Sequence, residues 1–188
     1  MKLDIPDYVF ESTAYKFNKL LKVYDKFNLT KPKKNLSEDL SGLFENAFVE
    51  YYQDTEQCYA PKKDSEPDII LNGHPIEVKC TAGENWRGGH FSKRPGWYLL
   101  IAWDVVEPEY EFKDKIIKFF VAGLDMEIQD WEKGMVGNYY ATSFTKKSLA
   151  EKDFREYKGN IKRYNRGKVN CLKVIKEEIK WNPNATFV

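Results

Sequence analysis

The stretch Ser65-Glu66-Pro67-Asp68-Ile69-Ile70-Leu71-Asn72-Gly73-His74-Pro75-Ile76-Glu77-Val78-Lys79 decides how this chain is read. Ile69 to Leu71 is short, apolar and β-branched, Asn72-Gly73 is the pair that two-residue turns favour, and Ile76 to Thr81 is a second short run. The pattern predicts a β-hairpin. Side chains alternate across a strand, so Glu77 and Lys79 project from one face while Ile76 and Val78 point into the core. The hairpin brings Asp68 across to them. Two carboxylates meeting at a strand end form a hard-oxygen site suited to Mg²⁺, with the backbone carbonyl of Val78 as a further ligand. In phosphodiester hydrolysis a bound metal polarises a phosphoryl oxygen and acidifies its water, and a neighbouring ammonium orients that water or neutralises developing charge. Taken alone, Glu77 and Lys79 are explained as well by a same-face ion pair on a solvated strand.

On the N-terminal side, Phe10, Ala14, Phe17, Leu21 and Tyr24 recur at spacings of three and four, which predicts an amphipathic helix from about Tyr8 to Phe27. After a polar link containing Pro32, Ser37 precedes a second apolar stripe of Leu40, Leu43, Phe44, Ala47, Phe48 and Tyr51, a helix by the same rule. On the C-terminal side, a loop rich in glycine and charge, Ala82 to Gly96, leads into Trp97 to Trp103, an almost unbroken apolar run that suits a buried central strand. Ile116 to Ala122 reads as another strand, Met126 to Glu132 as a short helix, Tyr139 to Ser143 as extended, and Lys146 to about Tyr157 as a helix. Helices before, strands in the middle and helices after predict an α/β fold, a mixed central β-sheet flanked by helices, in a single domain over residues 1–188 with its catalytic core at about 37–122.

Composition sets the bounds. At 188 residues with 42% hydrophobic residues, the chain can bury roughly 70% of the surface its unfolded form exposes and needs no staple. No apolar run approaches the roughly 20 residues of a membrane span, and the N-terminus lacks a signal-peptide layout, so a soluble, cytoplasmic protein with no membrane partner is expected. Cys58, Cys80 and Cys171 show no CxxC spacing and are expected as reduced thiols. Cys80 follows Lys79 but should point away from the acidic face, which argues against a thiol nucleophile. Net charge is only +1, yet Thr145 to Lys173 holds ten Lys/Arg against three Asp/Glu, and Asp104 to Glu132 nine acidic residues against three lysines. The basic region could meet a polyanion.

The order PD, apolar strand, tight turn, I-E-V-K resembles the PD-(D/E)XK nuclease superfamily. In that family the Asp of PD and the acidic residue of the second half hold the metal and the Lys assists the attacking water, which the resemblance carries to Asp68, Glu77 and Lys79. Members place a supporting Glu on the helix before the hairpin, often after a small residue and Phe, and Ser41-Gly42-Leu43-Phe44-Glu45 is similar. This favours Glu45, with Glu50 at the other border of the stripe as its competitor. The resemblance covers Ser41 to about Asp104.

The texture from Lys79 to Arg94, followed by Trp97 to Ile101, is similar to type II restriction endonucleases. The family likeness therefore implies a restriction-endonuclease-like core and a Mg²⁺-dependent, sequence-specific endonuclease acting on double-stranded DNA. It also implies a homodimer matched to a two-fold site, and a cognate DNA methyltransferase acting on the same sequence. A structure-selective nuclease, such as a Holliday-junction resolvase or repair nuclease, and a non-catalytic DNA-binding module are the alternatives. In the loop after the hairpin, Asn85, Trp86, Arg87, His90, Lys93 and Arg94 are the candidate DNA contacts, since Arg pairs with guanine, Asn with adenine and cations with phosphate.

Overall fold

A computed structural model of the chain describes residues 5–54, 57–61, 67–88, 95–106, 116–133, 140–143, 145 and 172–180. The first helix, α1 (Asp7–Lys26), buries Val9, Phe10, Ala14, Phe17 and Leu21. Pro6 stands just outside it, and Asp7 and Lys26 place charges that complement the helix dipole at its two ends. Its C-terminus closes with Asn28 in the left-handed region (φ 52°), where Asn28 N–H donates to Asp25 O and Leu29 N–H to Tyr24 O.

The second helix, α2 (Lys33–Tyr52), starts four residues before Ser37, directly after Pro32. Ser37 does not cap it. The Ser37 hydroxyl lies inside the helix, donates to Lys33 O and accepts the indole N–H of Trp103 at 2.9 Å. Leu40, Phe44, Ala47 and Phe48 form the buried stripe, whereas Tyr51, expected on it, is exposed and rests against Tyr8 and Tyr52.

Six strands, β1 (Cys58–Tyr59), β2 (Ile69–Leu71), β3 (His74–Thr81), β4 (Gly96–Val106), β5 (Ile116–Met126) and β8 (Leu172–Lys180), make one mixed sheet and lie side by side in that order. The predicted hairpin is β2 and β3, joined by Asn72 (φ 50°) and Gly73 (φ 78°), the paired positive φ values of a tight two-residue turn. Leu71 faces His74 and closes the turn, so Pro75 stands opposite Ile70 at a position that gives β2 no hydrogen bond. It also precedes the first β4 pairing, Ile76 with Trp97, and its missing N–H costs the sheet nothing. β3 and β4 run parallel; every other described neighbour pair is antiparallel.

The long strands are apolar on both faces because both faces are covered. Ile69, Leu71, Ile76, Val78, Leu99, Ile101, Trp103, Ile117, Phe119 and Val121 pack under α1 and α2. Tyr98, Leu100, Ala102, Ala122, Leu124 and Met126 point the other way and meet Trp86 and Trp131. Helices α1 and α2 flank the first face as expected, the helix expected at Lys146 to Tyr157 lies outside the described residues, and among those residues no helix covers the second face. It is covered by a ribbon of β6 (Trp131–Lys133) and β7 (Tyr140–Thr142) together with the loop after β3.

The short helix expected at Met126 to Glu132 is a single 3-10 turn, Ile128–Asp130. The Asp130 carboxylate caps the start of this turn by accepting the Glu127 N–H at 2.8 Å, and after Asp130 the chain extends so that Trp131 buries its ring against Tyr98. The extended reading of Tyr139 to Ser143 corresponds to β7, while the helix expected at Lys146 to Tyr157 lies outside the described residues. Among the described residues no helix is long and apolar enough to cross a membrane.

Candidate active site

The sheet opens where β2 ends and β3 continues, and the acidic and basic groups of the hairpin gather there. Pro67 leads in, and Asp68 stands immediately before β2, so its carboxylate reaches β3 beyond the last paired residue. Asp68 Oδ2 accepts the Val78 backbone N–H at 2.7 Å. This carboxylate supplies an acceptor that β2 is too short to provide.

Glu77 and Lys79 share one face of β3. Their register partners on β4 are Tyr98 and Leu100, so both project beside the second core, whereas Ile76, Val78 and Cys80 face the helices. The Lys79 ammonium lies 3.0 Å from Glu77 Oε2, 3.1 Å from Val78 O and 3.4 Å from Asp68 Oδ2. Burial works against the charge on Lys79, but attraction to Asp68 and then Glu77, with hydrogen bonds to both, outweighs it and holds the pKa above its ordinary value. Glu77 is also raised, chiefly by burial and then by the nearby Asp68 charge, with Lys79 opposing both.

Glu45 comes from α2 on the helix side of the sheet. It accepts the Ser41 hydroxyl at 2.8 Å, one helical turn away, and lies close enough to feel Asp68, Lys79 and Glu77. Burial, then repulsion from Asp68, pushes its pKa up to about 7. Glu50 points elsewhere and pairs with Lys16 at 2.9 Å on the exposed side of the helix pair. The packing of α2 over β3 thus turns Glu45, and not Glu50, toward the hairpin.

Cys80 is partly exposed as a residue, but its thiol is buried beside Ser41 and Glu45, and burial pushes its pKa up to about 12. A thiolate nucleophile is not available there at neutral pH. Ser41 is the member of this cluster that sequence reasoning left without a role, although its spacing of four residues from Glu45 on one helix carried the signal.

Of the loop residues, Trp86 is removed from the set of candidate DNA contacts. Its ring is fully buried in the second core and its indole N–H donates to Ile101 O at 2.9 Å. The backbone on either side is stitched to β7: Thr142 N–H donates to Trp86 O, Gly88 N–H to Tyr140 O, and Arg87 bridges Ala141. Asn85 and Arg87 are exposed, though the Asn85 amide already donates to Thr142 O at 3.1 Å. His90, Lys93 and Arg94 lie outside the described residues, as does most of the basic region.

No family model, curated protein or solved structure matches the chain. Among the described residues no three His, Cys, Asp or Glu side chains are gathered as a metal-binding group. What does converge is smaller and of one chemical kind: two carboxylates and one backbone carbonyl, each with an oxygen within 3.4 Å of the same ammonium. All three are hard donors of the sort that Mg²⁺ takes.

Proposed function

We propose that this chain is a Mg²⁺-dependent endonuclease that hydrolyses double-stranded DNA at a defined sequence, built on a restriction-endonuclease-like core. The observation that carries the reading is the meeting of Asp68, Glu77 and Lys79 at the point where β2 stops and β3 runs on, with Glu45 turned toward them from the preceding helix. The order of elements supports it: a helix, three antiparallel strands, and a fourth strand parallel to the third.

In this reading Asp68, Glu77 and the Val78 carbonyl hold the ion. When bound, Mg²⁺ polarises a phosphoryl oxygen and lowers the pKa of water at the site. Lys79 directs an N–H donor at the attacking water or at the charge that builds on phosphate, and Glu45 supports the site from the helix side. Water adds to phosphorus in line with the leaving oxygen, which departs with a proton. Asn85, Arg87, His90, Lys93 and Arg94 remain the candidate contacts to DNA. A homodimer that cuts each strand once, in the cytoplasm and alongside a methyltransferase of the same specificity, completes the proposal.

The closed hydrogen bonding of Lys79 favours a second reading, in which the cluster is a static ion-pair network in a DNA-binding module. Incubating the purified protein with phage-length DNA, with and without Mg²⁺, separates the two. Discrete bands that need Mg²⁺ and vanish in Asp68→Ala and Lys79→Ala are expected. A smear, or cleavage confined to four-way junctions, would replace sequence-specific cutting with a nonspecific or structure-selective nuclease. Absence of cleavage on every DNA, with binding unchanged in Asp68→Ala, would leave the binding module.

A further inference from the structure

An ammonium group has three N–H donors, and around Lys79 three oxygens are in place to accept them: Glu77 Oε2, Val78 O and Asp68 Oδ2 at 3.0, 3.1 and 3.4 Å. These are the oxygens assigned above to a divalent ion. We propose that the Lys79 ammonium is the resident cation of this oxygen cage and competes with a divalent ion for it, so that the ion enters only as Lys79 leaves. The inference rests on the proposed metal site and adds what sets its affinity.

Geometry and charge carry it together. Long lysine side chains ordinarily run their charged end out into water. Lys79 instead turns its end back over its own strand, with 18% of the side chain exposed, close to the 15% of Glu77. Lys16 behaves differently: it meets Glu50 of α2 with 34% and 46% of the two side chains exposed, and both of its hydrogen bonds go to that one carboxylate. Mg²⁺ binds oxygen at about 2.0–2.1 Å. Oxygens drawn in to that distance leave no room among them for an ammonium nitrogen, and two cations sharing the cage would repel strongly.

Two consequences follow. The metal-free chain does not leave Asp68 and Glu77 facing each other unneutralised, because it carries its own counter-charge. Departure from the cage also releases the ammonium donors toward water or a phosphate oxygen, the role the proposed reaction gives to Lys79.

The test is a Mn²⁺ titration of the full chain without nucleic acid, with free Mn²⁺ read by electron paramagnetic resonance. It compares the wild type with Lys79→Met, Lys79→Gln and Lys16→Met, each first shown to fold by circular dichroism. Both Lys79 variants are expected to bind Mn²⁺ about 10-fold more tightly than the wild type, because the ion no longer has to displace a charge-assisted hydrogen bond to enter the cage. Lys16→Met, which removes the same charge outside the cage, should bind as the wild type does. Adding Asp68→Asn should abolish binding in each background. Asp68-dependent binding that is no tighter in either Lys79 variant overturns the competition and leaves the metal site standing. No Asp68-dependent binding in any of these proteins overturns the metal site and the competition with it.

Discussion

Glu45 shows how one residue's surroundings turn into a measurable property of the whole protein. Its pKa is raised from 4.5 to about 7, first by burial and then by Asp68, while Ser41 and Lys79 pull the other way and Glu77 adds repulsion. A carboxyl group whose pKa is raised on folding favours the fold while it is protonated. That contribution is fully present below pH 4.5 and is lost as pH rises through about 7. The difference corresponds to about 3 kcal/mol, an order-of-magnitude figure. Glu45→Gln keeps an acceptor for Ser41 and cannot ionise. In EDTA, urea unfolding should therefore find this variant more stable than the wild type by about 1–3 kcal/mol near pH 8 and nearly equal to it near pH 4.5. A gap that stays constant with pH would mean that Glu45 does not titrate in this range. In the sequence, helical periodicity marks Glu45 only as one border of a stripe, and what favours it over Glu50 there is the resemblance carried by Ser41 to Glu45. Which border faces the hairpin depends on how α2 lies over β3, and no local pattern encodes that packing.

Among the elements, the loop after β3 is the place where composition and structure part. Asn85-Trp86-Arg87 reads as a polar, glycine-flanked surface segment, yet Trp86 is fully buried and its backbone is fastened to β7. A buried tryptophan needs a partner for its indole N–H, and Ile101 O supplies one across 15 residues of sequence. Trp86→Ala should cost about 3–5 kcal/mol in urea unfolding. Trp86→Phe, which fills most of the space but cannot donate, should cost less. Equal small losses for both would show that the loop is not anchored through this ring. The hairpin was legible because its signals are local: an Asn-Gly turn between two short β-branched runs. The ribbon was legible only in its second strand, as the extended Tyr139 to Ser143; β6 is three residues long, too short for periodicity to register, and its pairing with β7 is held by Trp131 and Thr142 through partners distant in sequence. The start of α2 was placed late for a related reason. Ser37 looks like a cap, but Pro32 opens the helix and Trp103 claims the serine hydroxyl.

For the molecule as a whole, the question is whether two cores on opposite sides of one sheet unfold together. β4 sends Leu99, Ile101 and Trp103 to the helix side and Tyr98, Leu100 and Ala102 to the ribbon side. β5 divides in the same way, with Ile117, Phe119 and Val121 against Ala122, Leu124 and Met126. Because alternate residues of the same strands line both cores, neither core can lose its sheet without the other losing it too. The candidate site depends on this arrangement, since Glu45 approaches from the helix side while Glu77 and Lys79 stand beside the ribbon side. The tryptophans report the two sides separately: Trp103 packs edge-on to Phe17 at 5.2 Å under the helices, and Trp131 edge-on to Tyr98 at 5.3 Å under the ribbon. With 5-fluorotryptophan incorporated and each resonance assigned by substitution, the native fluorine signals of Trp103, Trp86 and Trp131 should disappear at one urea midpoint. Earlier loss of Trp86 and Trp131 would mean that the ribbon and its loop detach as a unit of their own, and that Lys79 works beside a cover able to open while the helices hold.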